Sequence, residues 1–204
     1  MKGWSDGGPR GIIFVISAPS GTGKTTLLKR LRERVKGLHF SSSYTTRSPR
    51  EGEREGEDYH FISKEEFLRM VQEGKFWEWA EVHGDLYGTP LSNLDALKEA
   101  DLILDLDPQG AKRVKGMRRD AVLIFILPPS LKELERRLRQ RGERSLRERL
   151  RNAQKELEQI SFYDYIVVND DLEEATASLC AVVLAERCRK ERLLKGEGDG
   201  TDNR

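Results

Sequence analysis

The segment that most constrains this chain is Ile12-Ile13-Phe14-Val15-Ile16 followed by Ala18-Pro19-Ser20-Gly21-Thr22-Gly23-Lys24-Thr25. A short unbroken apolar run fits a strand covered on both faces, the kind found in parallel sheets. The glycines after it let backbone N–H groups close around phosphate oxygens with no Cβ in the way. Leu27, Leu28, Leu31 and Val35 then recur on one side of a helix. Strand, glycine turn and helix thus open an α/β unit built around a phosphate-binding loop. In that loop Lys24 offers a cation to β- and γ-phosphates, and Thr25 offers a hydroxyl to magnesium. Ser20, Gly21, Thr22, Gly23 and Thr26 complete the nucleotide-binding run. The strict pattern starts with glycine where this chain has Ala18, an exchange that a negative φ tolerates. The bland alternative is a glycine connector with a chance Lys-Thr, and the flanking strand and helix argue against it.

The rest of the chain extends the unit. Leu102-Ile103-Leu104-Asp105-Leu106 reads as a buried strand ending in acid. Val122 to Leu127 is another strand, closed by Pro128-Pro129, and Tyr165-Ile166-Val167-Val168 is the last. Ser130 with Glu133 has capping-box spacing before a helix that carries Leu131, Leu134 and Leu138 and reaches Gly142. Ser145 with Glu148 opens the next, carrying Leu146, Leu150, Ala153, Leu157 and Ile160; a final helix is expected from Leu172 to Leu194. Alternating strands and helices imply an α/β fold with a mostly parallel sheet flanked by helices. Ligands in such folds bind beyond the C-terminal ends of the strands. The glycine loop and Asp105 belong at that edge, and Asp105 suits a magnesium-assisted phosphate site.

Between the first strands lies a stretch of different character. Ser43 to Gly56 is dense in Arg, Glu, Gly and Pro and reads as loop. Tyr59 to Ile62 looks extended, Ser63 with Glu66 caps a helix, Phe76 to Val82 looks extended again, and His83-Gly84-Asp85 is a turn. Ser43 to Pro90 therefore forms a small mixed insertion.

Composition excludes several classes. A chain of 204 residues suits one compact domain, and a net charge of +1 gives no global basic field, so nonspecific nucleic-acid binding is not expected. Cys180 and Cys188 do not suggest a disulfide framework, and His39, His60 and His83 have no metal-ligand spacing. No apolar run is long enough for a membrane span, and the polar, Gly-rich Met1 to Arg10 has no signal-peptide core. These features point to the cytoplasm. Gly196 to Arg204 is expected to be a disordered tail.

The insertion carries a more specific message. Ser43-Tyr44-Thr45-Thr46-Arg47-Ser48-Pro49-Arg50, Gly52-Glu53, Tyr59, Glu78 and Tyr87-Gly88-Thr89 resemble the GMP-binding segment of the guanylate kinases. Asp105-Leu106-Asp107 with Gln109-Gly110, Ile126 to Ser130 and Val167 to Asp171 resemble the same family, and the likeness runs from about Gly11 to Arg192. The resemblance implies a P-loop kinase core at 10–42, 91–133 and 153–194. It implies a GMP-binding insertion at 43–90, a helical lid at 134–152 and a disordered tail at 195–204. It also implies that Arg47, Arg50, Tyr59 and Tyr87 hold the GMP phosphate, while Ser43, Glu78, Thr89 and Asp107 read guanine. Two arginines three apart beside a proline do make a stiff clamp for a dianion.

By the same resemblance, Arg137, Arg141 and Arg149 are lid arginines that act with Lys24 on the moving phosphoryl, and Asn169 lies near the adenine of ATP. The run Arg141 to Arg149 is shorter than the usual lid, so Arg144, Arg147 and Arg151 compete for the place of Arg149. The expected reaction takes MgATP and GMP, with dGMP alongside, to ADP and GDP. Thr25 and Asp105 are the residues nearest Mg2+. Two rivals remain: a related kinase with another nucleotide or sugar-phosphate acceptor, and a non-catalytic guanylate-kinase-like interaction domain. The small-molecule partners are ATP and GMP, and homo-oligomerisation stays open.

Overall fold

The computed structural model describes residues 11–50, 52–57, 59–82, 84–140, 142 and 145–193. The expectations placed on the first ten residues, His83, Arg141, Arg144, Leu194 and the tail lie outside the described residues.

The core is a five-stranded parallel sheet in the order β2-β7-β1-β8-β9. Its strands are β1 (Ile13–Ser17), β2 (Leu38–Phe40), β7 (Asp101–Asp105), β8 (Val122–Leu127) and β9 (Tyr165–Val168). Side chains alternate across a strand, and two helical layers receive the two sets. Phe14, Ile16, Ile103, Ile124 and Val167 pack on Leu27 and Leu31 of α1 (Lys24–Arg34) and on Ala175, Leu179 and Val183 of α6 (Leu172–Arg187). Ile13, Val15, Leu102, Leu104 and Leu123 pack on Ala111 and Val114 of α3 (Pro108–Met117). Burial on both faces is why these strands read as unbroken apolar runs.

The insertion forms a second, mixed sheet in the order β4-β3-β6-β5. Its strands are β3 (Ser43–Thr45), β4 (Tyr59–Phe61), β5 (Phe76–Val82) and β6 (Asp85–Pro90), and α2 (Lys64–Gln72) packs on it. Strand register fixes its faces, because paired residues point the same way. Ser43 pairs with Tyr59, Thr45 with Tyr87, Ala80 with Tyr87 and Glu78 with Thr89. Ser43, Tyr59, Glu78, Ala80, Tyr87 and Thr89 therefore share one face. On the other, Phe67 of α2 stacks on Phe76 with ring centroids 4.6 Å apart. A Cβ on Gly88 would lie 2.8 Å from Phe76 and 2.9 Å from Phe67, so only glycine lets α2 approach this closely.

Several sequence expectations change. Ser43 to Thr45 is a strand, not loop; it is short, and its partners β4 and β6 are distant in sequence, so no local pattern announces it. The helix α5 (Leu146–Leu157) starts where expected, but Ser145 makes no capping bond. Ser63 and Ser130 do cap, accepting from the backbone N–H of Glu66 and Glu133 at 3.1 Å. The last helix stops at Arg187 instead of running to Leu194, and a short α7 (Lys190–Leu193) follows. The break folds the chain back so that Arg192 donates to buried Glu186 at 2.9 Å and to the Asp120 carbonyl at 3.1 Å. β2, α3 and the 3-10 helix Leu91–Lys98 are not among the elements expected from the sequence.

Candidate active site

The phosphate loop leaves β1 and enters α1 through two left-handed glycines, Gly21 at φ 91° and Gly23 at φ 95°. Each supports a contact that a side chain would block. A Cβ on Gly21 would lie 2.7 Å from Leu138, and one on Gly23 2.6 Å from the amide nitrogen of Asn169. The loop is braced from below. Thr22, fully buried, donates its hydroxyl to the Pro19 carbonyl at 2.7 Å. The Thr22 carbonyl in turn accepts from Asn169 Nδ2 at 2.7 Å and from Arg137 Nη1 at 3.3 Å. Arg137 also donates to the Asn169 carbonyl at 3.1 Å and, through Nε, to Glu133 at 2.8 Å. Asn169 and Arg137 thus brace the loop.

At the upper face of the loop, Lys24 pairs with Asp105 at the end of β7. Thr25 is exposed at the start of α1. Arg149 of α5 donates to Ser20 Oγ at 3.3 Å, which brings it onto the phosphate loop. Arg147 instead lines a groove between α5 and α4 (Leu131–Gln140), beside Arg139 and Glu148.

Across from Lys24, the shared face of the inserted sheet closes a cavity of about 160 Å³. Ala18, Lys24, Asp105, Leu106 and Asp107 line it from the core, Ser43, Tyr59, Glu78, Ala80, Tyr87 and Gly88 from the insertion, and Glu156 from α5. Thr89, fully buried, donates to Glu78 Oε1 at 2.8 Å. Glu78 is only 6% exposed. Burial holds its carboxyl above the usual range, against the pull of the Thr89 hydrogen bond and the Arg113 charge. Asp107 caps α3 by accepting from the Gly110 N–H at 2.8 Å. A Cβ on Gly110 would fall 3.2 Å from Asp107 Oδ1 and 3.4 Å from Glu78 Oε2, so the two carboxylates meet over this glycine.

The expected phosphate clamp sits at one side. Arg47 donates to Glu53 at 2.9 Å and lies over the Tyr59 ring, 5.5 Å from its centroid. Burial opposes its charge, but the hydrogen bond and charge of Glu53 win and keep the guanidinium firmly protonated. Glu53 also accepts from the Arg50 backbone N–H at 2.7 Å, so one carboxylate sets the bend of the arginine loop. The Arg50 side chain is exposed, and neither arginine lines the cavity. Burial pushes the Tyr59 hydroxyl well above its ordinary pKa, with Asp105 and Tyr87 adding to the shift; Tyr59 is a neutral donor.

Three residues at this site were missed in the sequence. Glu156 enters the cavity from α5, and burial drives its carboxyl up to about 7, opposed by Lys24. It lies seven positions after Arg149, hence on the same helix face, and that spacing was the available signal. Glu53 belongs to the arginine-rich motif, but its pairing with Arg47 is not legible in the sequence. Arg113 lies one turn beyond Gly110 and approaches Glu78 Oε2 at 3.6 Å.

For a metal, the donor set is thin: the Thr25 hydroxyl and the Asp105 carboxylate. Among the described residues no group of three His, Cys, Asp or Glu could hold an ion. That fits a hard cation carried in on nucleotide phosphates, which needs one or two protein oxygens and not a closed cage. No helix of the described residues is long and apolar enough to cross a membrane.

The family model described as "Guanylate kinase" matches residues 10–186. The guanylate kinase of Myxococcus xanthus is 49% identical over 191 residues, covering 91% of each chain. That of Syntrophotalea carbinolica is 48% identical over 193 residues, covering 92% of each. A crystal structure of guanylate kinase from Anaplasma phagocytophilum superposes with a TM-score of 0.76 at 39% identity, covering 90% of both chains.

Proposed function

This chain belongs to the guanylate kinase family, and from that membership we infer its reaction and the part each wall of the cleft plays. The enzyme transfers the γ-phosphoryl of ATP to the phosphate of GMP, giving ADP and GDP, and dGMP serves as acceptor as well. One observation carries the reading: a buried carboxylate, Glu78, held by Thr89, faces the phosphate-loop lysine across one cavity. Guanine presents N1–H and a 2-amino group side by side, and one carboxylate accepts both. Ser43, Thr89 and Asp107 complete the guanine side. Arg47, Arg50, Tyr59 and Tyr87 take the GMP phosphate, with Arg47 already shaped by Glu53.

The attacking phosphate oxygen is already anionic, so no general base is required, and catalysis is positioning plus charge stabilisation. Lys24 exchanges Asp105 for the β- and γ-phosphates. Ser20 to Thr26 wrap the phosphates, and Asn169 and Arg137 keep that loop in shape. Arg137, Arg141 and Arg149 meet the charge that develops as the phosphoryl moves, and Asn169 lies near the adenine of ATP. Magnesium, when bound, neutralises phosphate charge; Thr25 and Asp105 are the residues that would hold it. The core at 10–42, 91–133 and 153–194 carries ATP. The insertion at 43–90 and the lid at 134–152 close over the substrates and keep water out. The setting is cytoplasmic purine nucleotide metabolism.

Neither rival is favoured. A different acceptor would not supply the adjacent N–H donors that Glu78 and Asp107 are placed to accept, and an interaction domain would have no use for a braced phosphate loop. The test is ADP release with MgATP over GMP, dGMP, AMP, CMP, UMP and dTMP. GMP and dGMP should far exceed the rest, and Lys24→Ala should lower turnover by orders of magnitude in a folded protein. A pyrimidine nucleotide or AMP preferred over GMP would overturn the reading.

A further inference from the structure

Glu78 has a neighbour that nothing in the reaction above uses. Arg113 stands on α3, the helix whose N-cap is Asp107 and whose buried face includes Gly110, Ala111 and Val114. Its Nε lies 3.6 Å from Glu78 Oε2, an ion pair too long to be a hydrogen bond. Its Nε and Nη2 are enclosed yet have no hydrogen-bond partner among the described residues. Enclosed donors without an acceptor are uncommon and costly. A movement of about 0.8 Å would bring Nε to the distance of a charge-assisted hydrogen bond. α3 belongs to the core and β5 to the insertion, so that movement is a small approach of one to the other.

We propose that Arg113 is a positioning residue for guanine recognition: from outside the acceptor cavity it aims Glu78 Oε2 and keeps the carboxylate ionised. This deepens the assignment of Glu78 to guanine and rests on it. The geometry assigns the two carboxylate oxygens separate anchors, Thr89 on Oε1 and Arg113 on Oε2. Once Arg113 closes that distance both oxygens are held, and the carboxylate plane is fixed against the base. Arg113 is also the charge that offsets Asp107, which meets Glu78 over Gly110. The other titratable groups lining the cavity are Lys24, Tyr59, Tyr87, Asp105 and Glu156. Of the two cations named, Arg113 is the one paired with Glu78, since Lys24 is taken by Asp105.

A merely structural arginine and a positioning one differ in the pH profile. An ionised Glu78 is needed to accept from guanine, so kcat/KM for GMP falls as the pH drops through its pKa in the free enzyme. Burial already holds that pKa high, and Arg113 pulls it down. Removing a cation at this range should move the acid limb upward by about one pH unit or more. The GMP phosphate titrates near pH 6 in every protein compared, so the difference between profiles belongs to the enzyme.

The experiment measures kcat/KM for GMP against pH, and KM for ATP, in native protein, Arg113→Gln, Arg113→Lys, Glu78→Gln and the Arg113→Gln/Glu78→Gln pair. Arg113→Gln should raise KM for GMP about tenfold, leave KM for ATP unchanged and shift the acid limb upward. Arg113→Lys, which keeps the charge and the helix packing, should return the limb towards its native position. In the Glu78→Gln background, Arg113→Gln should cost little. An unmoved acid limb, or an equal cost in both backgrounds, overturns the role of Arg113 while leaving Glu78 in place. An unchanged GMP:AMP preference in Glu78→Gln alone would instead overturn the Glu78 assignment on which the proposal stands.

Discussion

Gly23→Ala should damage this protein more than the loss of one glycine at a loop–helix junction suggests. Gly23 sits at φ 95°, and a Cβ there would lie 2.6 Å from Asn169 Nδ2. Placing an L-residue in the left-handed region costs about 1–2 kcal/mol. The Asn169 amide must also move, giving up its 2.7 Å bond to the Thr22 carbonyl in a buried setting. Leaving a buried donor unpaired costs a further 1–3 kcal/mol, roughly. The sum is about 2–5 kcal/mol, or a fall in Tm of about 4–20 °C for a chain of this length. Gly74→Ala is the control: φ is 65°, but nothing lies within 4 Å of the added Cβ, so only the backbone cost applies. Thermal melts followed by circular dichroism, with KM for ATP alongside, separate the two. Gly23→Ala should be the less stable by about 1–3 kcal/mol and bind ATP more weakly. In an Asn169→Ala background its extra cost over Gly74→Ala should vanish. If the two glycine variants melt alike in the native background, Asn169 does not lock the phosphate loop and the bracing argument fails.

Arg47→Ala and Arg50→Ala should each raise KM for GMP about tenfold to a hundredfold, the worth of a charge-assisted contact, with little change in KM for ATP; equal effects on both substrates would remove the clamp from the acceptor side. Glu156 should make stability pH-dependent. Burial raises its carboxyl to about 7, so the folded state gains from the neutral form below the unfolded pKa and loses that gain as pH rises through about 7. Glu156→Gln should therefore become steadily more stable relative to native protein as the pH rises from about 5 to about 8; parallel Tm-versus-pH curves would contradict this.

The phosphate loop and Asp105 were legible because their order along the chain is their order in space: strand, loop, helix, and a second strand ending at the same edge. The Glu78 face was legible only in part. Alternation with Trp77 and Trp79 shows that Glu78 points one way, but which way depends on pairing with Thr89, eleven residues on, across a bulge between Phe76 and Glu78. Ser43 to Thr45 was hidden for the same reason: three polar residues become a strand only because β4 and β6 flank them. Arg113 could not be found from the sequence. Arg113 is on a helix of the core and its partner on a strand of the inserted sheet, and the residues between the two carry no periodic signal that joins them. The family resemblance implies nucleotide-site roles for Asn169 and Arg137, but their bonds to the Thr22 carbonyl are visible only in the folded chain.

The most direct test of guanine recognition is kcat/KM for GMP and for AMP in native and Glu78→Gln protein. AMP would set the bare N1 lone pair of adenine against a carboxylate that burial and Thr89 hold in place, and would offer it neither of the donors that guanine supplies. A site built to pair substrate N–H groups rejects an analogue lacking them by roughly 10⁴–10⁵, so native protein should favour GMP by at least about 10³. Glu78→Gln should lose much of its GMP activity and narrow that ratio, because an amide oxygen accepts while its nitrogen opposes the second donor. A ratio left unchanged by Glu78→Gln would take guanine recognition away from this carboxylate.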